Sequence, residues 1–191
     1  MPTIGLGEPG TSVAPSSSIL GSMNGTWRLD KLRGKPSMRG YLETMGVPEL
    51  AIEAHEKGEE DHETIHTIDF SDTQFKIKKQ SRVTDLGLEL ILGEEHLTNL
   101  PGDRVKTTLA TSENPGQQVK IVSRMPTMNG MANVVDTKTL QREGSLLILV
   151  QTLTIKNELS GKEHTTVRYF VPHEGASIPL AATAKGSVGK K

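Results

Sequence analysis

The sequence predicts an all-β fold: a ten-stranded antiparallel up-and-down β-barrel with one helical pair inserted between its first and second strands. Three observations predict it. From residue 62 onward the chain is a series of short β-forming runs, each closed by a local turn. Helical periodicity is confined to one region, residues 36–54. One further strand-like run precedes that region. Consecutive strands joined by local turns make a meander, which closes as a barrel and does not build a parallel α/β sheet.

The elements follow in order. The run GTWRLDKLR begins at Gly25, and Pro36 then suits a helix N-terminus. Met38, Tyr41, Leu42 and Met45 fall at the i, i+3, i+4, i+7 spacing of one apolar face. Gly46 can take positive φ and end that helix, and Pro48 starts a second short one through Leu50, Ala51, Ile52 and Ala54. TIHTIDF stops at Ser71-Asp72 and TQFKIKKQ follows at once, the pattern of a tight hairpin. In LGLELILG, Leu86, Leu88, Leu90 and Leu92 share one face of a strand. HLTNL and RVKTTLAT flank the turn Pro101-Gly102-Asp103, and Asn114-Pro115-Gly116 leads into QQVKIVSRM. Met128-Asn129-Gly130 precedes MANVVDTKTLQ, Arg142-Glu143-Gly144 precedes SLLILVQTLTIK, and Ser160-Gly161-Lys162 precedes EHTTVRYFV.

Composition sets the domain limits. Residues 1–22 hold Gly, Pro and Ser with Glu8 as the single charge, and such a segment cannot bury enough apolar surface to offset its ordering entropy. Residues 174–191 read as a flexible basic tail, with Lys185, Lys190 and Lys191 and no acid after Glu174. The barrel is therefore expected over residues 23–173. With 22 basic against 23 acidic residues the net charge is −1, so no global basic field exists to hold a nucleic acid. The chain has no cysteine, which excludes disulfides, thiolate metal sites and a cysteine nucleophile. No run of 18 apolar residues occurs, so membrane insertion through a helix is not expected, and the N-terminus lacks the charged and apolar regions of a secretory signal. A cytoplasmic setting is the expectation.

Three motifs mislead. Gly5-Leu-Gly7-Glu-Pro-Gly10 spells G-x-G-x-x-G, but the phosphate-binding use of that motif needs a strand before it and a helix after it. His62-Glu63-Thr64-Ile65-His66 spells the zinc-protease signature H-E-x-x-H. On a helix the two histidines would lie about 6 Å apart; on a strand they lie about 13 Å apart, too far for one zinc. Thr67, Ile68, Asp69 and Phe70 are strand formers, so both histidines are expected as solvated strand residues. The acidic run Glu53, Glu56, Glu59, Glu60, Asp61 and Glu63 reads as a solvated helix end and loop. No catalytic arrangement, cofactor or metal is expected from the residues.

Gly25-Thr26-Trp27-Arg28-Leu29, then Met38-Arg-Gly-Tyr41-Leu-Glu-Thr-Met45-Gly46-Val47, resembles the start of the intracellular fatty-acid- and retinoid-binding proteins, part of the calycin superfamily. The run from Asp72 to Thr108 is similar in order and spacing to that family's following strands, and the resemblance covers residues 23–173. It implies a β-clam whose helical pair is a lid over a cavity holding one fatty acid or similar hydrophobic ligand. It further implies that an Arg-x-Tyr pair on the last strand fixes the ligand carboxylate, with a second arginine two strands earlier. Here Arg168 matches the first arginine, Phe170 stands at the tyrosine position, and an ungapped count back from the Glu143-Gly144 turn puts the second at Thr139.

Strand alternation independently places Thr166, Arg168 and Phe170 on one face and Val167 and Tyr169 on the other. If that face is interior, the guanidinium needs a partner: a ligand acid, an interior Asp or Glu, or ordered water. Met38, Tyr41 and Met45 are candidate contacts at the mouth of such a cavity; an apolar helical stripe is more often core, and both hold for a lid whose inner face is core when closed. Trp27 reads as packing at the barrel bottom. Two functions remain open: a non-enzymatic carrier of a hydrophobic ligand, or a structural or adaptor barrel without ligand, held by its tails to protein partners in a ciliary or cytoskeletal assembly.

Overall fold

The computed structural model describes residues 21–82 and 84–173. Strand β1 (Gly25–Leu29) is followed by helices α1 (Arg39–Thr44) and α2 (Glu49–Asp61). Nine further strands complete the chain: β2 (Ile65–Phe70), β3 (Gln74–Gln80), β4 (Asp85–Ile91), β5 (Glu95–Leu100), β6 (Arg104–Thr111), β7 (Gln118–Thr127), β8 (Gly130–Glu143), β9 (Leu146–Asn157) and β10 (Glu163–Pro172). Together they form one ten-stranded antiparallel sheet in the order β4-β3-β2-β1-β10-β9-β8-β7-β6-β5. The pairing of β1 with β10, Leu29 opposite Phe170, joins the first and last strands and curls the sheet into a barrel. Between β4 and β5 the ladder is missing. There the walls meet at one end only, through a single parallel bridge, Leu92 to Ala110, and the Gly93 amide donates to the Ala110 carbonyl at 2.8 Å.

The turns behave as their residues require. Gly46 has φ 80°, closed to most side chains, and ends α1 as its sequence position predicts. Pro48 caps α2, which is longer than expected and carries the acidic run as helix to Asp61. The signature H-E-x-x-H is thereby split: His62 caps the helix in extended conformation and His66 lies on β2. His66 is also not solvated, contrary to expectation; at 3% exposure it is interior, its ring stacked 4.3 Å from that of Phe170. The G-x-G-x-x-G stretch, both tails and their expected disorder lie outside the described residues, apart from Gly21 and Ser22.

The interior is layered. One apolar cluster fills the closed end and includes Trp27, Phe70, Phe75, Val119, Ile121, Leu140, Leu149 and Phe170. The Trp27 indole donates to the Met23 carbonyl at 2.7 Å within it. A second cluster of Ala132, Val134, Leu153 and Ile155 packs beneath Met38, Tyr41 and Met45 of the helical region. Burial of these side chains, worth about 25 cal/mol per Å² of apolar surface, is the main force holding both ends. Between the clusters runs a polar belt. Because side chains alternate along a strand, the inward residues of β8 read Ala132, Val134, Asp136, Lys138, Leu140, passing from one cluster through the belt to the other. Strand β9 does the same with Ile155, Leu153, Gln151, Leu149, and β7 with Met125, Ser123, Ile121.

Candidate functional site: a charged cavity under the helical pair

A cavity of about 660 Å³ lies between the helices and the polar belt. Met38, Tyr41 and Met45 form its roof, and Leu88, Leu100, Ile121, Met125, Val134 and Leu153 supply apolar wall. Leu86 of the β3–β4 hairpin lines it while remaining half exposed, so the cavity meets solvent there. Its volume falls in the range of about 300–1,000 Å³ usual for small-molecule pockets.

The belt contributes charge. Asp136 is fully enclosed: Lys138 Nζ donates to both of its oxygens at 2.6 Å, Gln151 Nε2 donates to Oδ1 at 3.0 Å, and Lys79 Nζ stands 3.5 Å away. Burial alone would raise the Asp136 pKa, but the Lys138 and Lys79 charges outweigh it and hold the carboxyl well below the usual carboxylate range. Burial pulls the Lys138 amine down to about 8 against the attraction of Asp136. Burial, followed by the Lys138 and Lys79 charges, keeps His66 neutral far below its ordinary value. Burial pushes Tyr41 up to about 12, with the Asp136 charge adding to it. Lys106, on β6, lines the cavity as well; burial and then the Lys79 charge lower its pKa.

Arg168 projects into the cavity from β10, and its Nη2 donates to Glu59 Oε1 at 2.6 Å. Arg168 is buried and Glu59 mostly so, with side chains 7% and 14% exposed. Of the three partners considered for this guanidinium, the structure supplies a carboxylate of the protein, Glu59. Three buried polar atoms around the belt have no hydrogen-bond partner among the described residues: Arg168 Nε, His66 Nδ1 and Gln151 Oε1.

The structure thus brings Arg168, Tyr41, Met38 and Met45 together around one cavity. Thr166 and Phe170 share the inward face of β10 with Arg168 but do not line it. Thr166 bonds the Ser37 carbonyl at 3.3 Å, and Phe170 lies in the closed-end cluster. Thr139 has the parity of the outer face of β8 and does not line the cavity; its neighbours Lys138 and Leu140 both point inward. Sequence reasoning missed Glu59, Lys79, Lys106, Asp136 and Lys138. A signal existed for each. Glu59 is seven residues past buried Ile52 on the same helical face, and the other four alternate with apolar inward residues on their strands.

Among the described residues no group of three or more His, Cys, Asp or Glu could hold a metal ion, and no helix is long and apolar enough to cross a membrane.

No protein-family model and no curated protein matches the chain. Solved structures do. The apo form of Caenorhabditis elegans lipid binding protein 8 superposes with a TM-score of 0.56 at 20% identity, over 84% of this chain and 100% of that one. The Schistosoma mansoni fatty acid binding protein in complex with arachidonic acid gives 0.55 at 12% identity, over 81% and 98%. Human cRBP IV gives 0.52 at 16%, over 79% and 98%. The chain therefore has the β-clam fold of the fatty-acid-binding proteins; at these identities the likeness is one of fold.

Proposed function

We propose that the protein is a non-enzymatic carrier that holds one fatty acid or similar amphiphile inside the barrel, in the cytoplasm. The observation that carries this reading is the cavity itself, apolar at the roof and upper wall and cationic at the belt. An alkyl chain entering it gains about 0.8 kcal/mol per buried CH₂, and the charged belt gives a polar head somewhere to go. The fold shared with a fatty acid binding protein solved around arachidonic acid supports the same reading. Met38, Tyr41 and Met45 close over the chain, and Arg168 borders the same space.

The test is a titration of delipidated protein with a fluorescent long-chain fatty acid, competed by oleate. Saturable one-to-one binding at micromolar affinity or tighter is the expected result. A folded protein that binds no such probe overturns the carrier reading.

One observation favours the second reading, a structural or adaptor barrel without ligand: Arg168 already has its counter-charge in Glu59. On that reading residues 1–22 and 174–191 hold the partner, and deleting both changes localisation and the set of co-purifying proteins. Unchanged partners and localisation sink it.

A further inference from the structure

We propose that the head group recognised in this cavity is a carboxylate, and that the amines of Lys106 and Lys79 receive it, leaving Arg168 to its internal partner. The proposal rests on the carrier reading and adds to it the place and charge of the head group.

Charge accounting in the belt carries it. Among the described residues four cations reach this interior, Lys79, Lys106, Lys138 and Arg168, against two carboxylates, Asp136 and Glu59. Arg168 is matched by Glu59, and Lys138 takes both oxygens of Asp136 at 2.6 Å. Lys79 is left with a 3.5 Å contact to an acid already engaged. Lys106 makes no ion pair within 4.0 Å among the described residues. Both amines are partly buried, and cations partly withdrawn from water gain from counter-charge close by, so these two are where an added anion gains most. The lowered pKa of Lys106 agrees, since the Lys79 charge is one of its causes.

Strand order locates the pair. Lys79 is on β3 and Lys106 on β6, the neighbours of the two strands whose ladder is missing, while Arg168 on β10 lies across the barrel from them. Both amines share the cavity with apolar Leu88, Leu100 and Met125, which accommodate the alkyl chain.

The experiment compares oleate with oleyl alcohol, equal in chain and different in head-group charge, on wild type, Lys106→Met, Lys79→Met and the double variant Glu59→Gln/Arg168→Met. Each protein is first checked by circular dichroism and thermal melting, and Lys79→Met carries the test if Lys106→Met does not fold. The expected result is that each lysine variant loses about tenfold in oleate affinity, the scale of one hydrogen bond to a charged group, with oleyl alcohol unchanged. The double variant keeps the wild-type preference for oleate. Lysine variants that bind oleate as tightly as wild type, or lose both ligands equally, overturn the proposal while the carrier reading stands. So does loss of the oleate preference in the double variant alone. A folded wild type that binds neither ligand overturns the carrier reading and this proposal with it.

Discussion

Glu59, in the last turn of α2, and Arg168, in the middle of β10, form a 2.6 Å ion pair that ties the helical region to the barrel interior. Helix α1 packs directly on β9 and β10, so apolar contact as well as this ion pair holds the helical region to the barrel.

Removing one member of that pair strands the other in a poorly solvated site. Glu59→Ala is expected to destabilise by about 3–5 kcal/mol, a fall in melting temperature on the order of 10 °C for a chain of this size. Glu59→Gln with Arg168→Met removes both charges and recovers most of the loss. Thermal melts of the three proteins decide it; a double variant as unstable as Glu59→Ala contradicts the account.

His66 makes stability fall in mild acid. Its folded pKa is depressed by burial and by the Lys138 and Lys79 charges, so below the unfolded value of about 6.5 the unfolded chain takes up a proton that the folded chain refuses. The stability it contributes is complete above that value and is lost as pH falls from there, by at most about 1.4 kcal/mol per pH unit. Denaturant titrations between pH 7 and 5 are expected to show this slope in wild type and its disappearance in His66→Gln. An equal slope in both proteins assigns the effect elsewhere.

Asp136→Asn leaves Lys138, 0% exposed, without its counter-charge. A loss of about 3–5 kcal/mol is expected, read as a lower denaturation midpoint at unchanged slope. Adding Lys138→Met returns part of it, because the amine is then no longer buried alone. No recovery on adding Lys138→Met argues against the pairing as the cause.

Gly40 lies under the His164 ring: a Cβ there would overlap the ring at Cε1. Gly40→Ala therefore turns the partly exposed His164 ring out of place, a cost that the helix preference of Ala over Gly offsets in part, leaving a net loss of about 1 kcal/mol. Combining it with His164→Ala makes the space, and the double variant is expected to be more stable than Gly40→Ala alone. Additive losses mean the two residues do not meet.

Much of this was legible in the sequence because turns and strand periodicity are local properties. Pro101-Gly102-Asp103 and Arg142-Glu143-Gly144 mark hairpins wherever the chain goes, and the alternation at Thr166, Arg168 and Phe170 fixes one common face. The site was less legible because its charges arrive from five elements: Glu59 on α2, Lys79 on β3, Lys106 on β6, Asp136 and Lys138 on β8, and Arg168 on β10 supplying the partner. Read alone, each is an ordinary surface charge. Glu59 sat in an acidic run that resembles a solvated face, and only the fold shows one of its members turned inward. Thr139 shows a related limit: on a strand, a shift of one residue in either direction reverses the face.

The unpaired stretch between β4 and β5 gives the barrel the mechanics of a split ring. Nine of its ten seams are stitched by backbone hydrogen bonds, and widening any of these breaks bonds in series. The tenth is pinned near Gly93 and Ala110 and otherwise held by side chains, so elastic compliance concentrates there. The wall can spread at that seam and spring back with its ladders intact, and Lys79 and Lys106 stand on the strands just behind its two lips.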